Sequence, residues 1–375
     1  MARKKRKKEW REATKKELAR AKKTRRQERL LFTVSGLVLA LVVAILGFGY
    51  YRENYATLRA PVAVVNGTPI STGEYQKMVR YRHNSLTSTL ARLQASAGEN
   101  QEALAQYFES QMANLPTQVL EEMINTELIR QGAAQNGISV SPQEVQKAIE
   151  EEFGYWSVPP TPLPTPVLTT DVTPTPTALP LTQEQFEERY QENLSWFRTT
   201  AGFSEDDFRG LFEADMLRDR LQELLASRVP TTARQVHAQH ILLETEEEAQ
   251  SVLERLKQGE DFATLAQELS QDPGSKEQGG DLGWFPEGEM VPEFDEVAFA
   301  LPPGETSDLV QSTFGYHIIR VLEREEDREL AADFLSRRRD NALNDWLQEQ
   351  TQSAAIERFW SPEKVPPLGE ESNSM

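Results

Sequence analysis

Between Leu30 and Tyr51 the chain runs for 22 residues without a charged side chain, among them Leu37, Val38, Leu39, Leu41, Val42, Val43, Ile45 and Leu46. A helix of that length spans a hydrocarbon core of about 30 Å, so the segment is expected to be one transmembrane helix. The residues before it settle the direction. Met1 to Arg29 carries 15 Lys/Arg against 4 Asp/Glu, so the net charge of −18 leaves −29 on everything that follows. Basic residues stay on the cytoplasmic side, which places the N-terminus in the cytoplasm and the acidic bulk outside it. A cleaved signal peptide would show a shorter apolar run followed by a small-residue cleavage site, and neither is present. The arm at 1–29 needs no nucleic acid as partner, because a juxtamembrane Lys/Arg cluster sets topology and attracts anionic head groups.

The chain has no cysteine and four histidines in 375 residues. Disulfide frameworks, thiol nucleophiles, thiolate zinc sites and cysteine-linked lipid anchors are thereby excluded, and no metal or cofactor is expected. Beyond the span, Pro61 to Ile70 reads as a strand and turn about Asn66-Gly67, and Ser71 with Glu74 as a capping box that opens a helix. Val119, Met123, Ile124, Leu128 and Ile129 keep helical spacing up to Gly137. Ser141-Pro142-Gln143-Glu144 starts the next helix. Eight prolines then fall between Val158 and Leu181, a composition that supports neither helix nor central strand. This insert is expected to be an extended, exposed loop insertion. Helix resumes at Leu181-Thr182 and carries a strong apolar face to Val229.

From Ala233 the texture changes. Val236 to Leu243 alternates as a strand that puts His240 on one face with Val236, Ala238 and Leu242. Two short helices follow, around Ala249–Leu256 and Phe262–Leu269, then a loop from Ser270 to Gly283 and a closing strand around Tyr316–Val321. After Glu326, Leu330, Phe334, Leu343, Trp346 and Leu347 mark a final helix.

Four blocks, in order and spacing, make Thr232–Glu325 resemble the parvulin family of peptidyl-prolyl isomerases. They are Ala238-Gln239-His240-Ile241-Leu242, Ser270-Gln271-Asp272-Pro273-Gly274-Ser275, Gly279-Gly280-Asp281-Leu282-Gly283-Trp284 and Phe314-Gly315-Tyr316-His317-Ile318-Ile319. The flanking pattern is similar to SurA/PrsA-type extracytoplasmic foldases, with two departures: no lipid-anchor cysteine, and the Thr/Pro insert. The resemblance implies an α+β fold: a transmembrane helix, a mainly helical SurA/PrsA-like chaperone domain, and a parvulin domain with a small antiparallel sheet surrounded by helices. The expected segments are 1–29 basic arm, 30–51 membrane helix, 62–229 helical domain with insert 158–181, 232–325 parvulin domain, 326–362 helix packing on the helical domain, and 363–375 disordered tail. A homodimer through the helical domain is admitted by the resemblance and specified by no residue.

Residue by residue, the resemblance implies His240 and His317 as paired histidines beneath a catalytic cleft, with Asp272 and the Ser312 hydroxyl completing its polar side. Leu282, Met290 and Phe294 then form the socket for a proline ring. His237 points away from His240 and is left out, and His83 has no counterpart to pair with. Rotation about an X-Pro bond meets a barrier of about 18–20 kcal/mol because it breaks amide resonance, and it breaks no covalent bond. A catalyst must grip the ring and stabilise the twisted amide more than either planar form, so Asp272 has no work as a covalent nucleophile. The loop after the first strand of this segment is read as the acidic run Glu244-Thr245-Glu246-Glu247-Glu248, which would repel a phosphate before the proline, so unphosphorylated substrates are expected. The expected function is a membrane-tethered peptidyl-prolyl isomerase and foldase acting on exported proteins. The alternative is a holding chaperone whose parvulin module is inert.

Overall fold

The computed structural model describes residues 36–51, 55–94, 101–156 and 180–368. The basic arm, residues 30–35 of the apolar run, nearly all of the Thr/Pro insert and the tail from 369 lie outside the described residues. Residues 36–51 are helical (α1), with Leu37, Leu39, Ile45 and Leu46 exposed. Among the described residues no helix is long and apolar enough to cross a membrane. The described part of the expected span thus falls short of the length the hydrocarbon core demands. The remaining described residues form two compact units, one reaching Leu217 and taking up the chain again from Gln350, the other Arg218–Glu349.

In the first unit, after a single helical turn (α2, Thr57–Arg59), β1 (Pro61–Val65) and β2 (Thr68–Ser71) make the expected hairpin. Asn66 and Gly67 both take positive φ, 50° and 87°, as the tight turn requires. The Ser71–Glu74 capping box forms, each residue's side chain accepting the other's backbone N–H, and opens α3 (Thr72–Gln94), which packs on α4 (Gln101–Gln135). Capping boxes at Ser141 and Thr182 likewise open α5 (Pro142–Glu152) and α6 (Gln183–Ala201). With α7 (Glu205–Ser227), these helices bury Ile149, Phe186, Tyr190, Phe197, Phe203 and Phe208 in one aromatic core. A feature without local sequence signal completes the unit: β7 (Ile356–Arg358) adds to the free edge of β1, giving the order β2-β1-β7. Arg358 forks onto Glu121, and Trp360 donates its indole N–H to the Tyr75 hydroxyl.

The second unit is built on an antiparallel sheet of order β4-β3-β6-β5, from β3 (Thr232–Leu243), β4 (Asp281–Pro286), β5 (Val310–Ser312) and β6 (Gly315–Glu329). Two layers cover it. On one face α8 (Glu246–Lys257) and α9 (Phe262–Leu269) pack on Ile241, Leu243 and Ile318; on the other α10 (Pro292–Ala300) packs Phe294, Ala298 and Phe299 on Val236, Ala238, Ile319 and Val321. Strand alternation therefore delivers His240 and His317 to the α10 face. α11 (Ala332–Ser353) follows, and Gln222 near the end of α7 bonds both the Arg339 carbonyl and the Leu343 amide on it.

Three expectations need correction. Residues 281–283, read as the end of a loop, are strand, because Gln239 and its neighbours on β3 supply ladder partners that local sequence cannot reveal. Residues 326–329 are strand rather than helix, since β6 keeps its pairing with β3 as far as Thr232–Glu329. Glu246, Glu247 and Glu248 are not loop residues: Thr245 caps α8 and all three glutamates occupy its first turn, where the helix dipole favours negative charge.

Candidate functional site

His240 and His317 sit on the two central strands in adjoining register, His240 opposite Ile319 and His317 opposite Leu242. Their rings stack at 21° with centroids 5.5 Å apart, the two Nδ1 atoms are 3.3 Å apart, and both residues are buried. The loop after α9 brings Asp272 to the outer end of this pair. Ser270 fixes its start, the buried Ser270 hydroxyl oxygen accepting the N–H of Leu242 and of Asp272, while the Gln271 N–H donates to the Leu242 carbonyl. The Asp272 carboxylate then accepts from the Gly274 and Ser275 amides, from the Ser275 hydroxyl and from His240 Nε2 at 2.9 Å. At the inner end the Ser312 hydroxyl lies 2.7 Å from His317 Nε2. The four residues form one unbroken run, Asp272–His240–His317–Ser312.

Its polarity follows from one end. Burial works to raise the Asp272 carboxyl, but the hydrogen bonds from Ser275, His240 and Gly274 outweigh it and hold the pKa at about 2. An ionised carboxylate only accepts, so His240 Nε2 donates. Where His240 carries its Nε2 proton alone, its Nδ1 accepts from His317 Nδ1–H, and His317 Nε2 accepts the Ser312 proton. Burial, with His240 adjacent, pushes His317 down to about 4, so it is neutral at physiological pH. The run has the order of a hydrolase triad, yet a histidine so depressed is a weak base near pH 7. It is suited to presenting fixed dipoles rather than to activating Ser312.

Phe294 lies edge-on to both imidazoles, 5.7 Å from His240 and 5.5 Å from His317, and is buried beneath them. Half-buried Leu282 and Met290 pack against the same cluster. All seven residues singled out from sequence thus belong to one neighbourhood, Phe294 as its floor. Two contributors were missed. Ser275 ties Asp272 to His240, bonding both, and only the turn-forming Asp-Pro-Gly-Ser string hinted at it. Gly280 clasps the backbone, its carbonyl accepting the His240 N–H and its N–H donating to the Ser275 carbonyl, both at 2.8 Å. His237 is engaged elsewhere, with Asp281 at 2.7 Å. Among the described residues no group of three or more His, Asp or Glu side chains is placed to hold a metal.

A histidine held below its usual value cannot take, in the folded state, a proton that the unfolded chain accepts. The stabilisation tied to His317 is therefore complete above pH 6.5 and declines as the pH falls from 6.5 towards 4, by an amount on the order of 3 kcal/mol. Asp272 acts in a lower window: its contribution is complete above pH 3.8 and is lost as the pH falls through about 2. Urea unfolding of the second unit should give a flat midpoint from about pH 7 to 8 and a falling one below about 6. A slope unchanged in His317→Gln would refute this assignment.

Residues 220–325 match the family described as the PPIC-type PPIASE domain, and residues 21–155 match the SurA-like N-terminal domain. The foldase protein PrsA of Oceanobacillus iheyensis is 39% identical over 171 residues, covering 41% of this chain and 57% of that protein. The PrsA of Geobacillus kaustophilus is 52% identical over 93 residues, 25% of this chain and 33% of that protein. The PrsA of Caldanaerobacter subterraneus subsp. tengcongensis is 31% identical over 259 residues, 69% of this chain and 72% of that protein. The first two matches thus span only 57% and 33% of those relatives' lengths.

Proposed function

The chain belongs to the PrsA foldase family, and from that premise we propose that its 232–325 segment is a working peptidyl-prolyl cis/trans isomerase assisting exported proteins as they fold outside the cytoplasm. The observation that carries this reading is the unbroken polar run Asp272–His240–His317–Ser312 lying against the Phe294 floor. A proline ring seats on Leu282, Met290 and Phe294, methionine adapting to its irregular shape. The X-Pro amide then lies beside the polar run. As the amide twists, its carbonyl and nitrogen lose conjugation and their charges redistribute. Dipoles already fixed by Asp272 stabilise that state without reorganising. No covalent bond to the substrate is made, Asp272 stays ionised, and Ser312 keeps its proton where the resting network has it.

Substrates are unphosphorylated X-Pro segments, because the acidic first turn of α8 offers a phosphate only like charge. The helical domain over 62–229 holds unfolded segments and so raises the concentration of X-Pro bonds at the cleft. An uncleaved anchor over 30–51 tethers both to the cell membrane with the arm at 1–29 in the cytoplasm, a placement supported by the uncharged run and the charge asymmetry.

The test is the cis-to-trans isomerisation of short X-Pro peptides by the full chain. Acceleration is expected, with Met290→Ala about tenfold lower in kcat/KM through loss of ring contacts, equivalent to about 1.4 kcal/mol. A folded chain that accelerates nothing would overturn the enzyme reading and leave the holding chaperone.

A further inference from the structure

Asp295, in the first turn of α10 next to Phe294, has no part in the polar run, yet it is only 7% exposed. Its Oδ2 accepts the Gly288 N–H at 2.6 Å, while Oδ1 is sealed from solvent with no hydrogen-bond partner among the described residues. Burial raises its pKa, opposed by the Gly288 and Met290 amides and reinforced by Glu287. A buried oxygen left without a partner is costly, because it loses its water and gains nothing in return. Packing alone gives no reason for a carboxylate there, since an apolar side chain would fill the same space.

What the carboxylate holds is the turn between β4 and α10. Gly288 takes φ +90° there, and the Glu289 N–H reaches back to the Pro286 carbonyl. Met290, two residues beyond Gly288, comes out of this turn to pack against the Phe294 cluster. Two other polar contacts touch the turn, Arg234 with Glu287 at 3.2 Å and Arg337 with Glu289 at 3.5 Å. Both pairs are substantially exposed, and ion pairs open to solvent hold a turn only weakly. The buried, charge-assisted bond from Gly288 is the stronger tether.

We infer that Asp295 is a positioning residue of the proline socket, fixing Met290 over Phe294 by pinning the Gly288 amide. The inference rests on the reading of this cleft as a proline site. Isomerisation by the full chain should be compared for wild type, Asp295→Ala, Asp295→Asn, Met290→Ala and the Asp295→Ala/Met290→Ala double variant. Asp295→Ala should lower kcat/KM about tenfold, since displacement of a binding group by a fraction of an ångström is costly. Asp295→Asn should stay within about twofold of wild type, because its amide oxygen still accepts from Gly288. The double variant should be no slower than Met290→Ala within about twofold, the non-additivity expected when one residue acts through the other. Asp295→Leu, which fills the space without an acceptor, supplies the same readout should alanine unfold the unit. An active wild type with undiminished Asp295→Ala, a loss that multiplies with Met290→Ala, or an asparagine variant as poor as alanine would each overturn the inference alone. An inactive wild type would overturn it together with the functional reading.

Discussion

Gly280→Ala is expected to cost the second unit about 3 kcal/mol or more, enough to expose the β3 and β6 amides to hydrogen exchange under conditions where wild type protects them. Gly280 holds φ +79°, which an L side chain adopts only at a penalty. The larger effect is steric. A Cβ there would stand 2.2 Å from the His240 carbonyl oxygen and 3.1 Å from Ala266 Cβ. The nearest obstacle is backbone, so relief must come from moving the strand that carries His240. Gly283→Ala is the internal control. It shares the left-handed conformation, at φ +68°, but its Cβ would meet nothing within 4 Å, so only the conformational cost of about 1 kcal/mol applies. Equal losses in the two variants would show that close approach at Gly280 is not what matters.

Asp272→Ala should lower kcat/KM about a hundredfold, the scale seen when one preorganised electrostatic group is removed from a site. The carboxylate terminates the polar run and sets its direction, and without it His240 Nε2 loses its 2.9 Å charged acceptor and keeps only the neutral Ser275 hydroxyl. The unconstrained histidines then have no reason to keep one tautomeric order. Asp272→Asn should fall between wild type and alanine, because an amide oxygen can still accept from Nε2 but carries no charge. The nitrogen chemical shifts of His240 and His317 provide a second readout, expected to move in the alanine variant. Activity within a few-fold of wild type in Asp272→Ala would reduce the run to a scaffold and leave catalysis to the apolar socket.

Much of this site was legible from residue order because its chemistry is carried by short blocks. Period-two alternation put His240 on the face with Val236 and Ala238, and those residues do share one core with Phe294. The capping box at Ser71 and the helix start at Ser141 were equally legible, since three-residue spacing decides them locally. What stayed hidden depends on partners far along the chain. Asp281–Pro286 becomes a strand only because β3 is there to pair with it. β6 runs on to Glu329 through a charged stretch, Glu323 to Glu329, that has no strand-like composition. Asp295 gave no signal, because a carboxylate in the first turn of a helix is ordinary until its burial is known.

The closing of the first sheet by β7 bears on the order in which a chain made from its N-terminus can become complete. Asn66, at the tip of the first hairpin, bonds with Ala355 across 289 residues. Until that late segment has emerged, β1 offers an open edge of unpaired amides and carbonyls, the kind of edge to which stray strands attach. The sheet of the second unit draws only on residues 232–329, all of which emerge earlier. A chain cut at Glu349 would keep every residue of the Asp272–Ser312 run while leaving β1 uncovered, so its defect would surface as self-association rather than as altered chemistry.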